Sequence, residues 1–93
     1  MEEYLVMKIC RRASAGTMQS SDLMVVVEPA ETLQVQIDST VKKQFEQLIR
    51  ERILATLEQL QVTAGHIQVS DRGALDYAIA ARIETAVLRA SEV

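Results

Sequence analysis

Histidine, cysteine and aromatic side chains are nearly missing from this chain of 93 residues. The aromatics are Tyr4, Phe45 and Tyr77 alone, so the core has to be aliphatic, built from Val, Ile, Leu, Ala and Met. A lone Cys10 excludes an internal disulfide framework and fits a reducing cytoplasm. No Cys/His cluster has the spacing of metal ligands. His66, the single histidine, falls on the polar face of an alternating segment, where a solvated histidine is expected rather than a general base. No glycine-rich run precedes a helix in the way a phosphate loop requires. Asp71 and Asp76 flank a helix start and read as capping residues rather than ligands. An independent enzyme therefore has no constellation to support it.

Basic excess is missing too. The net charge of −3 disfavours nucleic acid and anionic membranes as partners, and the triplet Lys8, Arg11 and Arg12 is too local to reverse that. No apolar run approaches the ~20 residues of a membrane span. The start, MEEYLV, is acidic and short, unlike a signal peptide. Met7 follows it, so the first six residues read as an alternative start or a tag remnant.

What is present is enough for one small domain. Apolar residues make up 48% of the chain and charged residues 25%, consistent with a real core near the lower size limit of independent folding. Residues 1–22 show no period and read as a flexible N-terminal arm, leaving 23–93 as a single domain. LMVVVE at 23–28 has the β-branched content of a strand. Leu33, Val35 and Ile37 alternate with Gln34, Gln36 and Asp38, a strand with one buried face. The short connection around Pro29 predicts an antiparallel hairpin. From Val41 the period becomes helical, with Phe45, Leu48, Ile49, Ile53, Leu57 and Leu60 on one side and Asp38, Ser39 and Thr40 as cap. HIQVS at 66–70 alternates again, Asp71-Arg72-Gly73 is a turn, and residues 74–90 form a second helix. The expected fold is a small two-layer α+β domain in β-β-α-β-α order, a three-stranded sheet with two helices on one face. A right-handed crossover would make the second and third strands parallel if adjacent.

Two places offer a hydroxyl for covalent attachment. Ser39 follows Asp38 ahead of a helix, superficially like the Asp-Ser pair of ordinary acyl carrier proteins. A cap explains the pair equally well, the usual Leu is missing, and ordinary carriers are all-helical. The other place is AGTMQSSDLMV at 15–25, where small and hydroxyl-bearing residues crowd ahead of an apolar run. A transferase needs a hydroxyl that it can surround, and this stretch meets that need; a plain solvated loop meets the same pattern.

Three segments resemble the acyl carrier (gamma) subunit of bacterial citrate lyase: AGTMQSSDLMV at 15–25, IDSTVKKQFEQLIRERIL at 37–54 and VSDRGALDYAIAARIETAVLRAS at 69–91. The last, with Gly-Ala-Leu-Asp followed by Ala-Arg-x-Glu, is the most specific. The malonate decarboxylase carrier subunit, which uses a similar group, is a poorer match. The resemblance implies a 2'-(5''-phosphoribosyl)-3'-dephospho-CoA group attached to a serine in a pattern like Gly-Thr-Leu-Glu-Ser-Gly-Asp. Gly16, Thr17, Met18, Gln19, Ser20, Ser21 and Asp22 match it, which puts Ser20 on the modified position. Gln19 replaces an acid and Ser21 a glycine, which suggests a turn of positive φ or a close approach of the modifying enzyme at Ser21. The implied cycle runs on the arm's thiol: an alpha subunit exchanges acetyl for citryl, and a beta subunit cleaves citryl to oxaloacetate and restores acetyl. A prosthetic-group transferase and an acetylating ligase are the other implied partners, in the cytoplasm. On this view Lys8, Arg11 and Arg12 partly offset the charge of the arm. The rival from another class is an interaction module whose N-terminal arm binds a partner and carries nothing.

Overall fold

The computed structural model describes residues 7–41 and 43–91. Four strands and two helices follow one another as β1 (Ala13–Gly16), β2 (Leu23–Glu28), β3 (Leu33–Ser39), α1 (Lys43–Gln59), β4 (Gly65–Asp71) and α2 (Asp76–Ser91). They form one sheet in the order β1-β2-β4-β3. β2 is antiparallel to both β1 and β4, while β3 and β4 run parallel, with Ile37 opposite Val69. The α+β class, the two helices and the parallel pairing agree with the sequence reading.

Three expectations need correction. The sheet has four strands rather than three, and the order is β-β-β-α-β-α. The extra strand, ASAG at 13–16, is made of residues too small to show a period; it is an edge strand whose buried Ala15 lies opposite Val25. Nor do β2 and β3 form a hairpin, because β4 inserts between them. The physical reason lies in their composition. LMVVVE is apolar on both faces, and such a strand is best satisfied with neighbours on both sides; the Gln-studded β3 suits an edge. Finally, residues 7–22 are packed on the domain instead of extending from it. Ile9 is buried, the Met7 amide donates to the Leu60 carbonyl at 3.2 Å, and the Cys10 amide donates to that of Ala90 at 3.0 Å. Residues 1–6 lie outside the described residues.

One face of the sheet is covered. Leu23, Val25 and Val27 of β2 and Ile67 and Val69 of β4 point to the same side and are buried. α2 covers β1 and β2 with Ile79, Ile83, Ala86, Val87 and Ala90, and α1 adds Ile49, Ile53 and Leu57. Each fully buried aliphatic side chain contributes about 1.5–3 kcal/mol, so this layer supplies most of the cohesion. Phe45 and Leu48 share the α1 stripe but are 46% and 60% exposed, contrary to a stripe buried along its length. The opposite face of the sheet is polar apart from Met24 and Val26 of β2, and there His66 Nε2 meets Gln36 Oε1 at 3.0 Å. Among the described residues no helix is long and apolar enough to cross a membrane.

Strand directions put three connections at one end of the sheet: residues 17–22 between β1 and β2, the one that leaves β3 through residues 40–41, and 72–75 between β4 and α2. Buried Asp71 holds this end together. Its Oδ2 accepts from Ser39 Oγ at 3.0 Å and from the Gly73 amide at 3.2 Å, and its Oδ1 accepts from the Ala74 amide at 3.0 Å. Ser39 Oγ in turn accepts from the Val41 amide at 3.1 Å, closing the turn before α1 rather than capping the helix itself. Ser39→Ala is expected to cost about 1–2 kcal/mol, since it takes a donor from a buried carboxylate. A urea midpoint equal to that of the wild type would overturn this account.

Candidate functional site

Ser20 lies in the β1–β2 loop, which is short, exposed and strongly held at both ends. The loop leaves β1 at Gly16, where φ is +96°. A Cβ at Gly16 would run into the Leu23 carbonyl, so any larger residue would force β1 and β2 apart. The Thr17 amide then donates to the Leu23 carbonyl at 3.2 Å, the last rung before the chain turns. The Asp22 amide donates to the Gln19 carbonyl at 3.1 Å, so residues 19–22 form a four-residue β-turn. Ser20 and Ser21 are its central residues. Ser21 has φ +67°, the positive value that the third position of a type II turn requires and that favours glycine. Ser21 thus occupies, under strain, a backbone position that suits glycine. Ser20 takes the second position, its side chain exposed to solvent.

Asp22 is the clamp. Its Oδ2 accepts from Thr17 Oγ1 at 2.6 Å, and its Oδ1 accepts from the Leu23 amide at 2.7 Å. Arg82 of α2 reaches it with two donors, Nε to Oδ1 at 3.1 Å and NH2 to Oδ2 at 3.0 Å. Such paired contacts fix direction as well as distance. The bond from Thr17, then those from Arg82 and Leu23, hold the Asp22 carboxyl at about 2, below its ordinary 3.8. The second tie is backbone to backbone: the Ser21 amide donates to the Arg72 carbonyl at 2.8 Å, and the Arg72 amide to the Asp22 carbonyl at 2.9 Å. The loop bearing Ser20 is therefore stapled to α2 and to the β4–α2 turn.

The sign of the pH dependence follows. A carboxyl depressed in the folded state stabilises fully above its unfolded value and loses that contribution as pH falls through the folded one. The stability advantage of wild type over Asp22→Asn is expected to be whole near neutrality and to shrink between about pH 4 and about pH 2. An advantage unchanged over that window, measured by urea titration, would remove Asp22 from this role.

The other sequence candidates separate cleanly. Ser39 is half-buried and donates its hydroxyl to Asp71, so it is engaged in structure. The Lys8, Arg11 and Arg12 triplet lies beyond the far end of β1. Arg12 pairs there with Glu28 at 2.9 Å, and Arg11 Nε donates to the Arg89 carbonyl at 3.1 Å. It is not beside Ser20; the fold brings the Arg82 guanidinium and the backbone of Arg72 to the loop. Arg82 escaped the sequence reading because it stands 60 residues from its partner. Asp76 pairs with Arg52 of α1 at 3.3 Å.

Residues 10–90 match the acyl carrier family model described as malonate decarboxylase delta subunit (MdcD). The citrate lyase acyl carrier protein of Yersinia enterocolitica is 50% identical over 88 residues, covering 92% of this chain and 91% of that protein. That of Enterobacter sp. strain 638 is 53% identical over 87 residues, covering 92% and 90%. Among solved structures, a chain of a Pseudomonas malonate decarboxylase hetero-tetramer in complex with malonate superposes with a TM-score of 0.74. It covers 96% of this chain and 93% of its own, at 24% identity, a likeness of fold. With half of its residues shared with named relatives over nearly its whole length, this chain belongs to the citrate lyase acyl carrier protein family.

Proposed function

We propose that this chain is the acyl carrier subunit of a citrate lyase complex and that Ser20 Oγ is its point of covalent attachment. The observation that carries the assignment is the preformed turn: in a chain of this family, it holds out an exposed hydroxyl while the amides of Ser21 and Asp22 beside it are hydrogen-bonded. The group proposed is 2'-(5''-phosphoribosyl)-3'-dephospho-CoA, joined through a phosphodiester. When bound, it supplies a thiol on a long arm, which activates an acyl group as a thioester and lets citrate be cleaved to oxaloacetate and acetate.

The residues present fit such a group. Ser20 is accessible to a transferase, and the turn that presents it is held by Arg82 on the Asp22 carboxylate and by the Arg72 backbone. The chain itself contributes position rather than acid–base chemistry. It serves the alpha (acyl transferase) and beta (citryl lyase) subunits in the cytoplasm, with a prosthetic-group transferase and an acetylating ligase acting on it. The tether raises the effective concentration of the acyl group at those active sites. A rigid staple at the root of the arm sets the centre of the sphere that the thiol explores. The test is intact mass and peptide mapping of the subunit isolated from a citrate-fermenting host. A coenzyme-A-derived adduct on the peptide containing Ser20 is expected; an unmodified subunit within an active complex would favour the interaction module.

A further inference from the structure

Between the first turns of α1 and α2 lies an open groove of about 300 Å³, at the lower end of the sizes that take small molecules. Phe45 and Leu48 from α1 and Ile79 from α2 line it, with Gly73 and Asp76 along the β4–α2 side. Its neighbour on the fold is the Ser20 loop. The turn that lines the groove with Gly73 is the one whose Arg72 exchanges two backbone hydrogen bonds with Ser21 and Asp22. At Gly73 the backbone has φ +92°, and a Cβ built there meets nothing within 4 Å. The strip of turn separating the serine from the groove is thus bare of side chain at that point.

We infer that this groove is the seat of the thiol end of the prosthetic arm between its visits to the partner subunits, an inference that rests on attachment at Ser20. Exposed Phe45 and Leu48 gain cover when the arm folds back over the turn, which accounts for a break in the burial of the α1 stripe at these two positions. The arm needs no flexible hinge in the protein, since the loop is fixed and the group supplies the rotatable bonds.

The experiment uses the modified subunit with Cys10→Ser, because Cys10 is exposed and would react as well. Intact mass and fragment ions first establish the adduct on Ser20. The arm thiol is then titrated with a neutral aromatic disulfide, with free coenzyme A as the reference. A seat occupied about 80% of the time slows the reaction about fivefold relative to coenzyme A. Leu48→Asp, at a 60% exposed position, should keep the fold and the adduct while restoring the rate to that of coenzyme A. An adduct on Ser20 that reacts as fast as coenzyme A, or protection that survives Leu48→Asp, overturns the seat alone. An adduct that is missing or on another residue overturns the attachment reading, and the seat with it.

Discussion

Ser20→Ala is expected to abolish attachment of the prosthetic group, and citrate cleavage with it, while the subunit folds as before. Among the described residues nothing bonds the Ser20 hydroxyl, and the side chain is exposed, so removing one oxygen costs the fold within about 0.5 kcal/mol. Ser21 carries the same chemistry one residue along, and both alcohols are neutral at physiological pH, so position must select between them. The structure distinguishes the two by backbone. Ser21 sits at φ +67° with its amide bonded to Arg72, whereas Ser20 is the preceding residue of the turn. Ser21→Ala should therefore keep the adduct. Ser21→Gly relieves a left-handed conformation that costs a non-glycine residue about 1–2 kcal/mol, less the added freedom of the unfolded chain. A net gain of about 0.5 kcal/mol is expected, with modification at least as fast as in the wild type. Fragment ions placing the group on Ser21, or an adduct retained in Ser20→Ala, would show that the wrong serine was chosen.

The sequence made some of this plain and hid the rest for identifiable reasons. Both helices and the strands β3 and β4 announce themselves by period, because each has an inner face, only half-buried in β3, and a wet one. β1 does not: its Ala-Ser-Ala-Gly carries little hydrophobic contrast, and Ala15 is buried only because α2 lies over it. The short link between β2 and β3 suggests a hairpin, yet the better guide was composition, an all-apolar strand wanting two neighbours and a glutamine-rich one wanting an edge. At the candidate site, the resemblance at 16–22 singles out Ser20, and the expectation of a positive φ at Ser21 agrees with its +67°. What it could not give was the Thr17–Asp22–Arg82 clamp or the Arg72 rungs, since those partners meet only when α2 folds back on the sheet. Residues 7–22 read as a free arm for the same reason: their order comes from distant residues.

The second large effect separates two apolar residues on one helical stripe. Ile53 is fully buried in the layer between α1, α2 and the sheet; Leu48 is 60% exposed at the groove. Ile53→Asp removes a packed side chain, a loss of about 2–5 kcal/mol on truncation alone. It also places a carboxylate where neither water nor a cation reaches it, at a further cost of several kcal/mol. Against a total stability of about 5–15 kcal/mol for a domain of this kind, the variant is expected to be largely unfolded at room temperature. Leu48→Asp keeps its charge in water and loses only helix propensity, about 0.5 kcal/mol. Far-ultraviolet circular dichroism with urea titration checks both: a native-like spectrum for Leu48→Asp and a collapsed transition for Ile53→Asp. Equal stabilities would mean that the stripe is buried along its whole length and that the groove beside the Ser20 loop is closed by Leu48. A wide gap between them leaves an apolar surface facing solvent across the β4–α2 turn from the Ser20 loop, held open by a core that does not depend on it.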